Sequence, residues 1–401
     1  MDYLELVKEI SVTSPAKIVL LVIDGLGGLP DPETGISEIE TAMTPNLDKL
    51  AADGICGMAD PIAPGITPGS GPGHLAIFGY DPVKYRIGRG ALEATGIEVE
   101  LGASDIAARG NFCTVDDAGI ITDRRAGRIS TEKSTELCEL LDGMSIDDVR
   151  VMTCPVREHR FVAVFNGEGL SSDVTESDPS RTGVRPLKIE PLSQTAAKMA
   201  DVANQFTAKA RSVLAKHRPA NMVLLRGFSG RPDLPTMQEI YKLKPLAIAN
   251  YPMYRGLAKL VGMDTAVAGE TLEDEMGALK GAFNEYDFFF LHVKSTDSAG
   301  EDGDFGRKVK VLEEIDRALP DILKLGPDVL VVTGDHSTPA VLRGHSWHPV
   351  PVLLYSRHCR PDRVNRFSEV DFNTGGLGKI ESTQIMPLAM ANALKLTKFG
   401  A

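Results

Sequence analysis

Three stretches of this chain place metal-ligand residue types directly after short apolar runs. Ile18–Ile23 (IVLLVI) leads into Asp24. Asp287–Val293 (DFFFLHV) leads into Lys294-Ser295-Thr296-Asp297 and on to Glu301, Asp302 and Asp304. Asp328–Thr333 (DVLVVT) leads into Gly334-Asp335-His336, and ten residues after Asp335 the chain reads His345-Ser346-Trp347-His348. A lone Asp at the end of a strand is more often a turn or cap residue. Carboxylates and neutral imidazoles gathered at several strand ends suit Mn2+ or Zn2+, because mixed oxygen and nitrogen donors favour transition metals over Ca2+.

Ser70 lies between glycines in Gly65–His74 (GITPGSGPGH). That context exposes its hydroxyl at a tight turn, and a helix starting just after it would favour an incoming phosphate. The same residues also suit a plain flexible loop. No Gly-Lys-Ser/Thr follows, so this is not a P-loop, and positions 68 and 72 are Pro, which excludes a nucleophile elbow. Asp304-Phe305-Gly306 has no kinase partners elsewhere, and Gly25–Gly28 lacks dinucleotide-binding spacing. Arginine forks recognise carboxylate and phosphate groups. The candidates for such work are Arg124, Arg125 and Arg128 in DRRAGR, Arg160 in EHRF and Arg226 in LLRGF.

The apolar runs read as buried strands that stop where Gly and Pro forbid continuation. Thr44-Pro45 opens a helix through about Ala52, with Thr44 as cap and Pro45 at the first helical position. Leu312, Ile315, Leu319 and Leu323 follow helical spacing between the second and third strands; Pro351–Tyr355 adds a strand, and Ser382–Leu396 a helix. Strand and helix alternate, which predicts an α/β domain with a mostly parallel sheet. In such sheets active groups collect at the carboxyl ends of the strands. The middle of the chain differs: short strands at Arg160–Phe165 and Asn221–Leu225, turn-rich Gly167–Pro179, and frequent arginine. It reads as an inserted α+β domain at about 105–239, within an outer domain of 1–104 and 240–401.

A chain of 401 residues with 43% hydrophobic and 24% charged residues is an ordinary globular composition, and its length suggests two domains. Five scattered cysteines without a Cys-x-x-Cys pair argue against a disulfide framework or a zinc-thiolate site and fit a reducing compartment. The start, MDYLELVKEI, is no signal peptide, and no apolar run is long enough to span a bilayer. The expectation is a cytoplasmic protein. A net charge of −12 disfavours nucleic acid and anionic membranes as partners. An anionic small molecule then needs a site made locally positive by metals or arginines.

LLVIDGLG at 20–27, TPNLDKLAADG at 44–54, ADPIAPGITPGSGPGHLAIFGYDP at 59–82, YRIGRGALEATG at 85–96, ARGNFCTV at 108–115 and ITDRRAGRI at 121–129 together resemble the archaeal-type cofactor-independent phosphoglycerate mutases. KSTDSAGEDGDFGRKVKVLEEID at 294–316, VVTGDHSTP at 331–339 and HSWHPVPVLL at 345–354 extend the resemblance nearly to the end of the chain. The broader resemblance is to the alkaline phosphatase superfamily. It implies an alkaline-phosphatase-like sheet flanked by helices, with an inserted smaller domain that closes over the site. It implies interconversion of 2- and 3-phosphoglycerate, in glycolysis and gluconeogenesis, through a phosphoserine at Ser70. Two divalent ions would serve, Mn2+ first, with Mg2+, Co2+ or Zn2+ as alternatives, and no 2,3-bisphosphoglycerate. By the resemblance, Asp24, Ser70, Asp335 and His336 surround one metal, and Asp297, Glu301 and His345 hold the other. Many relatives have His where this chain has Glu301, so Asp302 is a rival ligand; His345 rather than His348 matches the pattern. Arg125, Arg128, Arg160 and Arg226 would bind substrate, a small phosphorylated hydroxy acid. His74, His159, His217, His292 and His358 read as structural or surface residues. A phosphohydrolase or a homoserine-kinase-like phosphotransferase on the same scaffold is the rival activity, and a homo-oligomer stays open.

Overall fold

The structure is a computed structural model that describes residues 3–266, 268–269 and 271–400. Met1, Asp2, Val267, Glu270 and Ala401, all within the expected outer segments, lie outside the described residues. The chain forms two compact units, Met1–Arg86 with Leu234–Ala401, and Ile87–Asp233. The changeovers at 86/87 and 233/234 compare with expected bounds near 104 and 240.

The first unit is built on an eight-stranded sheet in the order Asp264–Ala266, Pro245–Ala249, Phe288–Val293, Ile18–Ile23, Val329–Thr333, Val350–Ser356, Ile55–Asp60, Gly378–Glu381. Val350–Ser356 runs antiparallel to both its neighbours; every other pairing is parallel. The three apolar runs of the sequence are adjacent central strands, buried along their whole length. Strands covered on both faces have no reason to alternate polar with apolar residues. Register does the positioning: Ile23 pairs with Val293 and Val22 with Thr333, so Asp24, Lys294 and Gly334 leave the sheet at one edge.

Helices follow the expected pattern with local differences. Pro45–Asp53 is a helix, but the Thr44 side chain makes no capping bond. Asp316 Oδ1 instead accepts from the backbone amides of Asn46 and Leu47, at 2.9 and 2.8 Å, which satisfies donors a helix start leaves open. The apolar stripe at 312–323 belongs to helix Phe305–Lys324. Ser382–Gln384 is a 3-10 turn leading into helix Ile385–Asn392. Residues 3–15, silent in the sequence, begin with helix Tyr3–Ile10 and fasten the two chain ends: Thr397 N donates to Ile10 O and Val12 N to Lys395 O.

The second unit is α+β. Its six strands, all antiparallel, centre on Ile106–Val115, which pairs with Arg160–Asn166 on one side and Met222–Gly230 on the other. Helices Thr131–Leu141 and Ala197–Leu214 bury one face over Phe112, Phe161, Phe165 and Phe206. On the other face, helix Arg89–Gly96 packs Ala91 and Ala94 against Ala107, Val162 and Val164.

Candidate active site

At the shared strand edge of the first unit, the sequence provides the sharp turns that crowd polar groups together. Gly25 follows Asp24 with φ +64, and a Cβ there would lie 2.5 Å from Thr338 Oγ1 and 2.9 Å from the backbone of Asp297. Only glycine lets the turn close this tightly. Ser70 opens helix Ser70–Ile77, whose Gly73 lies so close to Asp335 that a Cβ would meet its carbonyl oxygen at 2.4 Å. The serine hydroxyl thereby comes to 3.2 Å from His336 Nε2.

Among the described residues, two groups have ligand-type atoms within 4.8 Å of one another: Asp24, Asp335 and His336, and Asp297, His336 and His345. His336 belongs to both. Its Nε2 is 3.4 Å from Asp24 Oδ1 and 3.1 Å from Asp335 Oδ2. Thr338 decides which ring nitrogen carries the proton. The single hydroxyl proton of Thr338 goes to Asp297 Oδ1 at 2.7 Å, so the 2.9 Å contact with His336 Nδ1 requires an Nδ1–H donor. The Nε2 lone pair therefore faces Ser70, Asp24 and Asp335, as a ligand or acceptor must. The same logic applies to His345, whose Nδ1 donates to Pro68 O at 2.9 Å and whose Nε2 lies 3.5 Å from Asp297 Oδ1. Burial pushes the His336 imidazolium pKa down and keeps the ring neutral, although Asp335 and Asp24 pull the other way.

The carboxylates are buried and ionised. Burial opposes the charge on Asp24, but a contact from His292 and the Lys294 ammonium beside it hold its carboxyl well below the usual range. Asp335 is also lowered: burial and Asp24 oppose its charge, and His74, 3.1 Å away, favours it. Lys294 Nζ lies 3.2 Å from Asp24 Oδ2 and also contacts Asp297 Oδ2; burial disfavours the ammonium, yet the carboxylates raise its pKa. Even so, Asp24 Oδ1 and Asp335 Oδ2 are buried without a hydrogen-bond partner. Leaving a buried charged oxygen unmatched costs on the order of 1–3 kcal/mol or more. A divalent cation beside the bare His336 Nε2 would remove that cost, so these residues fit a metal ion.

The remaining predicted ligands are placed less centrally. Glu301 is exposed, stands outside both groups, and has Oε1 at 4.0 Å from His345 Nε2. Asp302 pairs instead with Arg307 at 2.8 Å. Asp304 caps the next helix by accepting from Arg307 N. His348 bonds Ser346 Oγ and stacks on Trp347. In the sequence His74 and His292 read as structural or surface residues, and Lys294, Tyr254 and Thr338 carried no role. His74 reaches Asp335 at 3.1 Å, His292 reaches Asp24 at 3.2 Å, and Tyr254 donates to Asp24 Oδ2 at 2.5 Å. His292 had one signal, a polar residue near the end of an otherwise apolar strand; Tyr254 had none.

The second unit carries a different cluster. Arg109 lies directly opposite Arg226 in register, and Asn111 opposite Arg160, so all four share a sheet face. Burial, with Arg89, Arg160 and Arg226 nearby, pulls the Arg109 guanidinium down to about 10, against the pull of Glu93. Arg109 Nε approaches Glu93 Oε1 at 3.4 Å without hydrogen-bond geometry, and Arg160 Nε also lacks a partner. Arg124 spends its fork on Asp178, at 2.9 and 2.7 Å. Arg226 lies 3.8 Å from the same carboxylate. Arg125 and Arg128 are exposed in the turn after Ile121–Asp123. Arg109, in the quoted ARGNFCTV, was the arginine the sequence reading passed over.

A model of the 2,3-bisphosphoglycerate-independent phosphoglycerate mutase family matches residues 51–221. A Thermotoga neapolitana protein named as a probable enzyme of that kind is 51% identical over 403 residues, covering all of both chains. A Thermus thermophilus protein of the same name is 48% identical over 406 residues, again covering all of both. Two solved structures are similar throughout. A Pyrococcus horikoshii protein has a TM-score of 0.82 at 31% identity, covering 97% of this chain and 100% of its own. The cofactor-independent phosphoglycerate mutase of Thermoplasma acidophilum has a TM-score of 0.75 at 31% identity, covering 94% and 100%.

Proposed function

Since the chain belongs to the 2,3-bisphosphoglycerate-independent phosphoglycerate mutase family, we propose that it interconverts 2- and 3-phosphoglycerate through a phosphoserine at Ser70. The observation that carries this reading is the convergence on one hydroxyl: Ser70 Oγ at 3.2 Å from a neutral His336 Nε2, beside two buried carboxylates with unmatched oxygens. Asp24, Asp335 and His336 would hold one divalent cation with Ser70. Asp297 and His345 would hold a second, with His336 near both and Glu301 as the outer carboxylate. When bound, such ions make a seryl oxygen a competent nucleophile and offset charge on the transferring phosphoryl group. Mn2+ is the first choice, with Mg2+, Co2+ or Zn2+ as alternatives.

The chain's own residues set up the rest. Ser70 Oγ loses its proton and bonds to phosphorus as the bond from phosphorus to the substrate's ester oxygen breaks, and that oxygen takes up a proton. The start of helix Ser70–Ile77 favours the phosphoserine's negative charge. Lys294, held by Asp24 and Asp297, adds a fixed cation at the same edge. Glycerate then turns; its other hydroxyl loses a proton and bonds to phosphorus as the bond to Ser70 Oγ breaks, and Ser70 Oγ takes up a proton. The second unit serves as the lid, with Arg109, Arg160 and Arg226, joined by Arg125 and Arg128, supplying forks for the substrate's carboxylate. Exclusion of water is what makes the enzyme a mutase rather than a phosphatase.

The test is a coupled assay of 3-phosphoglycerate conversion, run with and without Mn2+ and without added 2,3-bisphosphoglycerate. Conversion that needs the metal and no added bisphosphate is expected. Stoichiometric release of inorganic phosphate without 2-phosphoglycerate would replace the mutase reading with a hydrolase.

A further inference from the structure

Lys308 is a charged residue with no solvent exposure, in the first turn of helix Phe305–Lys324. Its Nζ donates to Gly27 O and to Thr338 O, both at 2.9 Å. These carbonyls belong to the two turns that carry the ligand-type side chains. Gly27 is three residues after Asp24, and Thr338 is two residues after His336. Gly27 O also accepts from Thr338 N at 3.1 Å, so the turns already meet there, and Lys308 closes the junction from a third side. The helix itself follows Ser295–Asp302, which carries Asp297, after the left-handed Gly303.

Two carboxylates surround this junction, Glu38 fully buried and Glu369 half-buried. Glu38 Oε1 lies 3.8 Å from Lys308 Nζ and accepts from Ala340 N at 2.7 Å, beyond Thr338 on the same loop. Glu369 accepts from Gly28 N at 2.9 Å and from Ser37 Oγ at 2.8 Å, beyond Gly27 on the other turn. Desolvating one ammonium and two carboxylates costs several kcal/mol per ion, so an ion cluster of this kind is weak support for stability alone. What it does supply is direction: each charged group ends on a backbone atom of one turn or the other.

From this we infer that Lys308 is a positioning residue. Resting on the metal-centre reading above, it sets the spacing between the Asp24 turn and the Asp335–His336 loop and so tunes the affinity of that group for a divalent ion. Thr338 is the mechanical link. Its carbonyl is fixed by Lys308 while its hydroxyl orients both Asp297 and His336.

Mn2+ alone is titrated by calorimetry into the metal-depleted full chain, the Lys308→Met variant and the Lys308→Gln variant, each checked for folding by circular dichroism at the titration temperature. Outer partners of metal ligands typically change affinity by about 10- to 100-fold. Both variants are expected to bind at least about tenfold more weakly, with a smaller rise in melting temperature on adding Mn2+. A folded variant that binds within about twofold of the parent overturns the inference, however much lower its melting temperature. Failure of both variants to fold even in saturating Mn2+ also overturns it, because the lysine then serves the whole fold. A parent chain that takes up no Mn2+ removes the metal reading and this inference together; a binding parent beside an equally binding variant removes this inference alone.

Discussion

The strand edge of the first unit and the arginine face of the second differ in the charged atoms they bury without a partner. At the edge, the unmatched buried atoms include two carboxylate oxygens, Asp24 Oδ1 and Asp335 Oδ2, beside ring nitrogens of His74 and His292. On the arginine face they include two guanidinium donors, Arg109 Nε and Arg160 Nε, beside the acceptors Asn111 Oδ1 and Glu93 Oε2. Most buried polar groups in folded proteins are satisfied, so charged atoms buried without a partner point to what is missing. Leftover carboxylate oxygens at the edge call for cations; leftover guanidinium donors call for an anion. A phosphorylated carboxylic acid handled on metal ions would call on both kinds of group, in a chain whose net charge is −12.

The sharpest break of this comparison is at Ser70. Ser70→Ala removes the nucleophile but none of the acceptor-rich surround, and mutase turnover should fall by at least about 10^3-fold. The variant should keep its Mn2+ uptake within about tenfold. Trapping the parent with 2-phosphoglycerate and mapping the modified peptide should place phosphate on Ser70. Phosphate on a histidine, or an active alanine variant, would sink the phosphoserine route.

Removing ligands from the acceptor-rich edge comes next. Chelation should abolish activity, and His336→Ala should lose metal more severely than Asp297→Ala, because His336 alone belongs to both donor groups. Equal losses in a metal titration would separate the two groups. Activity should also fall at acid pH, since ligands bind metal only when deprotonated. Full turnover in a metal-free, chelator-treated sample would end the two-metal account.

On the donor-rich face the effects should be smaller and fall on binding. Arg109→Met keeps much of the side-chain volume and removes one fork; KM should rise about 10- to 100-fold. Arg226→Ala should do the same and, if the lid reading holds, release inorganic phosphate as mutase turnover drops. Normal KM in both variants would disconnect this face from substrate. Arg124→Met should instead cost stability, because Arg124 is already bound to Asp178 at 2.9 and 2.7 Å.

The two regions were unequally legible in the sequence. Asp24, Asp335 and His336 could be found because each ends an unmistakable apolar run, and central parallel strands bring such ends together. Ser70 stood out through its glycines. Tyr254 and Thr338 could not be found that way. Tyr254 lies 230 residues from Asp24, and Thr338 acquires its role from a proton count among neighbours that only the fold assembles. Arg109 was hidden because an arginine inside an apolar strand does not show that Arg226 will be its cross-strand partner. The edge of the second unit was soft for a related reason. Helix Arg89–Gly96 has no sequence break that assigns it; its place comes from packing on Ala107, Val162 and Val164.

The smallest expected effect tests the premise that cations, not burial, keep the edge carboxylates ionised. Glu275, in helix Leu272–Ala282 of the same unit, is buried, and among the described residues it forms no salt bridge. Burial, with Asp274 adjacent, pushes its carboxyl up from about 4.5 to about 8, the opposite direction from Asp24. The folded chain therefore binds more protons than the unfolded chain between those values. Stability must fall as pH rises through that window, with no penalty below about 4.5 and the full penalty above about 8. Glu275→Gln removes the titration while keeping the shape. In metal-depleted protein, the variant should match the parent near pH 4.5. It should exceed the parent by about 1–3 kcal/mol near pH 8, a discounted value for an incompletely buried group. Urea midpoints of both proteins at the two pH values measure this directly. If the variant's advantage did not grow with pH, Glu275 would be ionised without a cation, and burial at this depth would be too mild to make the orphaned oxygens of Asp24 and Asp335 diagnostic of a metal.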